Sequence, residues 1–172
     1  VLKNKEFTLL IVALSAIFLF SACGSSGYAK RPEAGHLIDL EKFNQSANET
    51  IKKYARGQCN LFVQDVLRQY NIDLPGSADQ MILYMKRSLN WKRISMDEAN
   101  EIAGRAQIVV AAQRPPRPDT PAHVCFVLYD RGYRNGGFLT VIGTYQCRES
   151  SLNYEFDLDK PPPVEFYYYR KH

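Results

Sequence analysis

Histidine is scarce in this chain of 172 residues, with only His36, His123 and His172. The histidines and cysteines lack any zinc-binding spacing, so no metal site is expected, and no cofactor is expected either. There is no block of Lys or Arg, and the formal net charge is only +4. That balance gives no basis for a nucleic-acid partner. Internal repeats are absent. The biased patches at 114–118 and 161–163 are short and proline-rich, and they read as loops. The apolar run 7–20, broken only by Thr8 and Ser15, covers about 20 Å, short of the ~30 Å of bilayer hydrocarbon.

What is present at the N-terminus has the order of an export signal. Lys3 and Lys5 precede the apolar run, and Ser21, Ala22 and Cys23 follow it. Charge, length and flanks fit a signal-peptide core better than a permanent anchor. The segment 20–23 resembles the lipobox of bacterial lipoproteins, with Phe20 in place of the usual Leu or Val. The resemblance implies a signal peptide at 1–22 and lipidation of Cys23. Residues 23–35, rich in Gly and Ser, read as a flexible tether. Two or three acyl chains, at about 0.8 kcal/mol per buried CH₂, would hold the protein on a lipid bilayer. Gly24, where an Asp would retain some lipoproteins at the inner membrane, points to the periplasmic face of the outer membrane in a cell with two membranes. Val1 in place of Met fits a non-ATG start codon or a slightly truncated chain. Loss of Lys3, Lys5 and Glu6 with the signal takes the net charge from +4 to +3.

Residues 36–172 are enough for one domain, and 45% hydrophobic residues can build its core. A helix is expected over 36–54. The clearest helical stripe is Cys59, Phe62, Val63, Val66, Leu67 and Tyr70, ended by Asn71 and Pro75. Its opposite face carries Asn60, Gln64, Asp65, Arg68 and Gln69. Ser77 can cap a third helix to about residue 86, and Ser95 with Glu98 forms a capping box for a helix ending near 104. Strands are expected at 107–112, 124–129, 138–145 and 164–169. Helices followed by antiparallel strands make an α+β domain. The aromatic cluster 166–169 reads as a half-buried edge strand, with a sugar-stacking platform as the other reading.

With Cys23 lipidated, Cys59, Cys125 and Cys147 remain, an odd number for an oxidising compartment. One disulfide and one free thiol is the simplest arithmetic. Cys59 opens its helix directly after Gly57 and Gln58. Helix N-terminal N–H groups favour a thiolate and can hold an oxyanion. A buried core cysteine is the plainer alternative. His123 stands where a loop enters a strand, and it is the credible base. An Asn135-Gly136 two-residue turn would place Cys125 opposite Gln146 and Val127 opposite Thr144. His123, Gln146 and Thr144 would then share a sheet face. A slip of one residue would bring Tyr145 and Cys147 there instead. The first register opposes a Cys125–Cys147 disulfide and the second permits it, so that pairing stays open.

The stretch Tyr54-Ala55-Arg56-Gly57-Gln58-Cys59-Asn60-Leu61-Phe62-Val63 resembles the nucleophile motif of CHAP and NlpC/P60 cell-wall hydrolases. Ala122-His123-Val124-Cys125-Phe126-Val127 resembles their histidine strand, with Ala122 in place of the usual Gly. The resemblance covers about 51–169. It implies a papain-like fold and a cysteine peptidase or amidase acting on peptidoglycan stem peptides. Cys59 would be the nucleophile and His123 the base and acid. Gln58 and the Cys59 N–H would form the oxyanion site, and Gln146, or else Thr144, would orient His123. The alternative is a non-catalytic relative that binds wall peptide or a partner protein.

Overall fold

The computed structural model describes residues 37–115, 117, 119–129, 139–159 and 161–170. The export signal, Cys23, the tether and the Asn135-Gly136 turn lie outside them.

Three helices lead. Helix α1 is Leu40–Ile51, capped by Asp39, whose side chain accepts the Lys42 N–H. Helix α2 is Cys59–Arg68. Its stripe is buried from Cys59 to Leu67, with Tyr70 half-buried beyond the helix end, and Gln64 is buried too, donating to the Gly76 carbonyl at 3.1 Å. Asn71, at φ 57°, ends this region in a left-handed turn that lets Ile72 N–H reach the Leu67 carbonyl. Helix α3 is Ala78–Arg87, opened by a Ser77/Gln80 capping box. After strand β1 (Trp91–Ile94), helix α4 (Met96–Gly104) starts on the expected Ser95/Glu98 box. Strands β2 (Val109–Gln113), β3 (His123–Val127) and β4 (Thr140–Gly143) follow. Strand β5 (Arg148–Ser151), the four-residue helix α5 (Leu152–Glu155) and strand β6 (Glu165–Tyr169) complete the described elements.

The result is an α+β architecture around an open six-stranded sheet, ordered β1-β6-β2-β3-β4-β5, with every pair antiparallel. Because side chains alternate across a strand, the sheet feeds two cores. Val110, Ala112, Val124, Phe126, Ile142 and Tyr167 face α1, α2 and α3. Val109, Ala111, Cys125, Val127, Val141 and Tyr168 face α4 and α5. Phe126 locks the first core: its ring meets Phe43 at 5.2 Å and Phe62 at 5.6 Å, both edge-on. That geometry favours aromatic pairs beyond simple area burial.

Two sequence expectations are corrected here. The aromatic strand is not at an edge: β6 pairs with both β1 and β2, and Phe166, Tyr167 and Tyr168 are buried. The β3–β4 register pairs Val127 with Val141, not with Thr144. The slip is three residues. Because three is odd, it moves the β4 side chains to the opposite faces.

Candidate active site

Local structure brings Cys59 and His123 together. The turn before α2 reverses at Gly57, where φ is 91°, a conformation that costs a residue with a Cβ. Gln58 precedes the helix without a side-chain cap, leaving the first-turn N–H groups to other partners. Cys59 is therefore the first residue of α2, buried, with Sγ 3.9 Å from the Ala122 carbonyl. On the other side, His123 begins β3. Its loop is clamped to α3 through Asp79. Asp79 accepts from Arg114 Nε at 2.7 Å and from the Ala122 N–H at 3.4 Å. The Ala122 that stands where Gly was expected is buried and carries one end of that clamp.

His123 Nε2 lies 2.9 Å from Glu155 Oε2. That leaves Nδ1 as the ring nitrogen open towards Cys59, which lines the same cleft and lies close enough for the two groups to act on each other's charge. The Phe156 ring packs against the imidazole at 5.1 Å between centroids and fixes its plane. Glu155 is the residue the sequence reading missed. Its side chain is fully buried, and its oxygens accept from the N–H groups of Tyr145 and Gln146 and from the Ser150 hydroxyl, as well as meeting His123. Three donors hold the carboxylate against the Nε2 edge of the imidazole, which gives it a fixed orientation.

Gly143 makes room for it. A Cβ at Gly143 would stand 2.5 Å from Glu155 Oε2 and 2.8 Å from the Cys125 Cβ. The carboxylate comes in from α5, over a strand position that has no side chain. An isolated glycine inside a strand signals such a close approach, and Gly143 sits inside the strand expected at 138–145.

The proposed orienting residues are corrected accordingly. Gln146 lies in the turn after β4; it lines the cleft, but its side-chain amide donates to the Tyr154 carbonyl at 3.4 Å. Its contribution near His123 is its backbone N–H, which binds Glu155. Thr144 is completely buried, with no hydrogen-bond partner for its hydroxyl oxygen among the described residues. The three-residue register shift explains both placements, since it takes Thr144 off the His123 face. Gln58 is not brought to the cleft lining; its side-chain carbonyl folds back to accept the Ala55 N–H at 2.9 Å. Cys59, Cys125 and Cys147 are all free thiols, so the one-disulfide arithmetic fails among the described residues. Cys125 is buried beneath Glu155, while Cys147 is exposed in the turn at φ 53°.

The electrostatics follow from these contacts. Burial pushes the Cys59 thiol up, but the hydrogen bond and charge of His123, with the N–H groups of Val124 and Asn60, outweigh it and hold the thiol below its ordinary 9.0. Burial pushes His123 down, but its bonds to Cys59 and Glu155 win and raise it from 6.5 to about 9. The two shifts together favour a thiolate beside an imidazolium. By contrast Cys125, buried and facing the charge of Glu155, is pushed well above 9.0.

The site opens into a cleft of about 890 Å³, lined among others by Arg56, Cys59, His123, Tyr145, Tyr154 and Asp159. An activated thiolate at the floor of an open cleft can attack an electrophilic carbonyl, and the first-turn N–H groups of α2 are placed to receive the oxyanion. Among the described residues no group of three or more His, Cys, Asp or Glu side chains could hold a metal ion. Compared with known proteins, the chain matches no family model and no curated sequence, so the reading of this cleft rests on its own residues.

Proposed function

We propose that this protein is a cysteine peptidase or amidase of papain-like, NlpC/P60-CHAP type, held in the cell envelope by lipid on Cys23 and acting on peptidoglycan stem peptides. The observation that carries the reading is the chain of contacts Cys59–His123–Glu155 at the mouth of a helix and the floor of a cleft. In this mechanism the Cys59 thiolate attacks the scissile carbonyl. His123 gives its proton to the leaving amine, then takes one from the water that hydrolyses the acyl-enzyme. Glu155 holds the imidazole in orientation and balances its positive charge, as the third member of such triads does. The exported, anchored location expected from residues 1–23 puts the site beside that substrate.

Digestion of purified muropeptides by the full chain in detergent tests the reading. New amino groups should appear with the wild-type chain and not with Cys59→Ala. Retention of muropeptides by both forms with no new amine would instead establish the non-catalytic, wall-binding alternative.

A further inference from the structure

The cleft has an uneven charge distribution that the reaction itself does not require. Among its described lining residues, Arg56 is the one Arg or Lys, whereas Asp157 and Asp159 also line it. Arg56 lies three residues before Cys59, so their Cα atoms are within about 11 Å. Its guanidinium carbon sits 3.8 Å from the centroid of the Tyr145 ring. Among the described residues no carboxylate pairs with it. A guanidinium held by its face on an aromatic ring keeps its in-plane N–H groups for a second partner, and their fork matches a carboxylate. Tyr145 is in turn fixed beside the reacting groups: its backbone N–H binds Glu155, and its ring lies 6.4 Å from His123.

We propose that Arg56, seated on Tyr145, is a specificity residue that receives a substrate carboxylate one to three residues from the bond attacked by Cys59. This inference rests on the hydrolase reading and narrows its substrate to acidic peptides.

The test uses two iodoacetyl amino-acid amides that differ only in the side chain, glutamate in one and glutamine in the other, on the full chain in detergent. Attack by a thiolate forms the C–S bond and expels iodide, and mass spectrometry reads each cysteine separately. An uncharged small thiol, 2-mercaptoethanol, in the same buffer reports the intrinsic reactivity of each probe. At low salt, Cys59 should prefer the glutamate probe by about fivefold relative to 2-mercaptoethanol, the upper end for one exposed ion pair. The preference should shrink with added salt. It should vanish in Arg56→Gln and persist in part in Arg56→Lys, with every rate divided by that variant's own rate with iodoacetamide. Equal rates for the two probes, or the same preference in Arg56→Gln, overturns the carboxylate site alone. Failure of Cys59 to react with iodoacetamide overturns both this inference and the hydrolase reading.

Discussion

Substituting Gly143 with Ala should disable the site without touching any residue that would meet substrate. The added Cβ would lie 2.5 Å from Glu155 Oε2 and 2.8 Å from the Cys125 Cβ, both closer than real contacts allow. Cys125 is a fully buried strand residue packed in the second core, whereas Glu155 sits at the end of a four-residue helix. The carboxylate is therefore the part that moves. A shift of roughly 1 Å is enough to take its 2.9 Å contact with His123 beyond hydrogen-bonding range. Losing one charge-assisted bond to the imidazolium is worth about 1.5–3 kcal/mol, and overpacking costs the fold about 1–3 kcal/mol. The rate of thiolate chemistry should fall roughly 10- to 100-fold. His123 should drop from about 9 towards 6.5, and Cys59 should climb back towards 9.0. Iodoacetamide alkylation of Cys59 across pH reads the thiol directly, and thermal unfolding reads the stability cost. Gly104→Ala supplies the control. It also creates a close contact, 2.5 Å from the Tyr129 ring, but away from the cleft. It should leave the Cys59 profile unchanged. A Gly143→Ala protein that is less stable yet keeps the wild-type Cys59 profile would refute the steric link from Gly143 through Glu155 to His123.

The remaining predictions are narrower. Glu155→Gln keeps the shape of the side chain but removes the charge facing the imidazolium; the alkaline limit of the pH–rate profile, near 9 in the wild type, should move down as His123 loses that support. Steady-state kinetics across pH 5–10 would check it, and an unmoved limit would mean that Glu155 does not act on His123. In the native chain, iodoacetamide should label Cys147 quickly and leave Cys125 untouched until denaturant is added, because one is exposed and the other buried with its thiol pushed up. Equal protection of both in the native state would contradict the turn conformation at 144–147. Ser95→Ala removes the capping box of α4 and should cost about 1 kcal/mol of stability, read in denaturant unfolding, with no change in the thiol profile.

Much of this arrangement was legible in the sequence because it is local. The α2 stripe and the Ser95/Glu98 box each depend on residues within one or two turns of each other, and both formed where the spacing placed them. Cys59 and His123 could be singled out for the same reason: one opens a helix after a glycine, and the other is the histidine at a strand entrance. Glu155 was not legible. It belongs to a helix of four residues, too short for any periodicity, preceded by the polar strand Arg148–Ser151. Its partner relation to His123 spans 32 residues and depends on the β3–β4 register. A two-residue turn at Asn135-Gly136 predicts a register three residues from the observed one, which puts Gln146 where Gly143 stands beside Cys125. Strand β1 leaves no signal in the sequence because its four residues, buried-exposed-exposed-buried, do not alternate. The central position of the aromatic strand is not legible in the sequence because its pairing with β1 on one side and β2 on the other is wholly non-local.

The most direct test of the account is the pH dependence of Cys59 alkylation by iodoacetamide in the full chain, measured beside His123→Ala and located by mass spectrometry. The thiolate–imidazolium pair predicts that Cys59 reaches its full rate well below pH 9.0, its ordinary value, and that the His123→Ala protein loses this early rise. A Cys59 that titrates at or above 9.0, with the same profile in His123→Ala, would contradict the central claim that these two residues form one reactive pair.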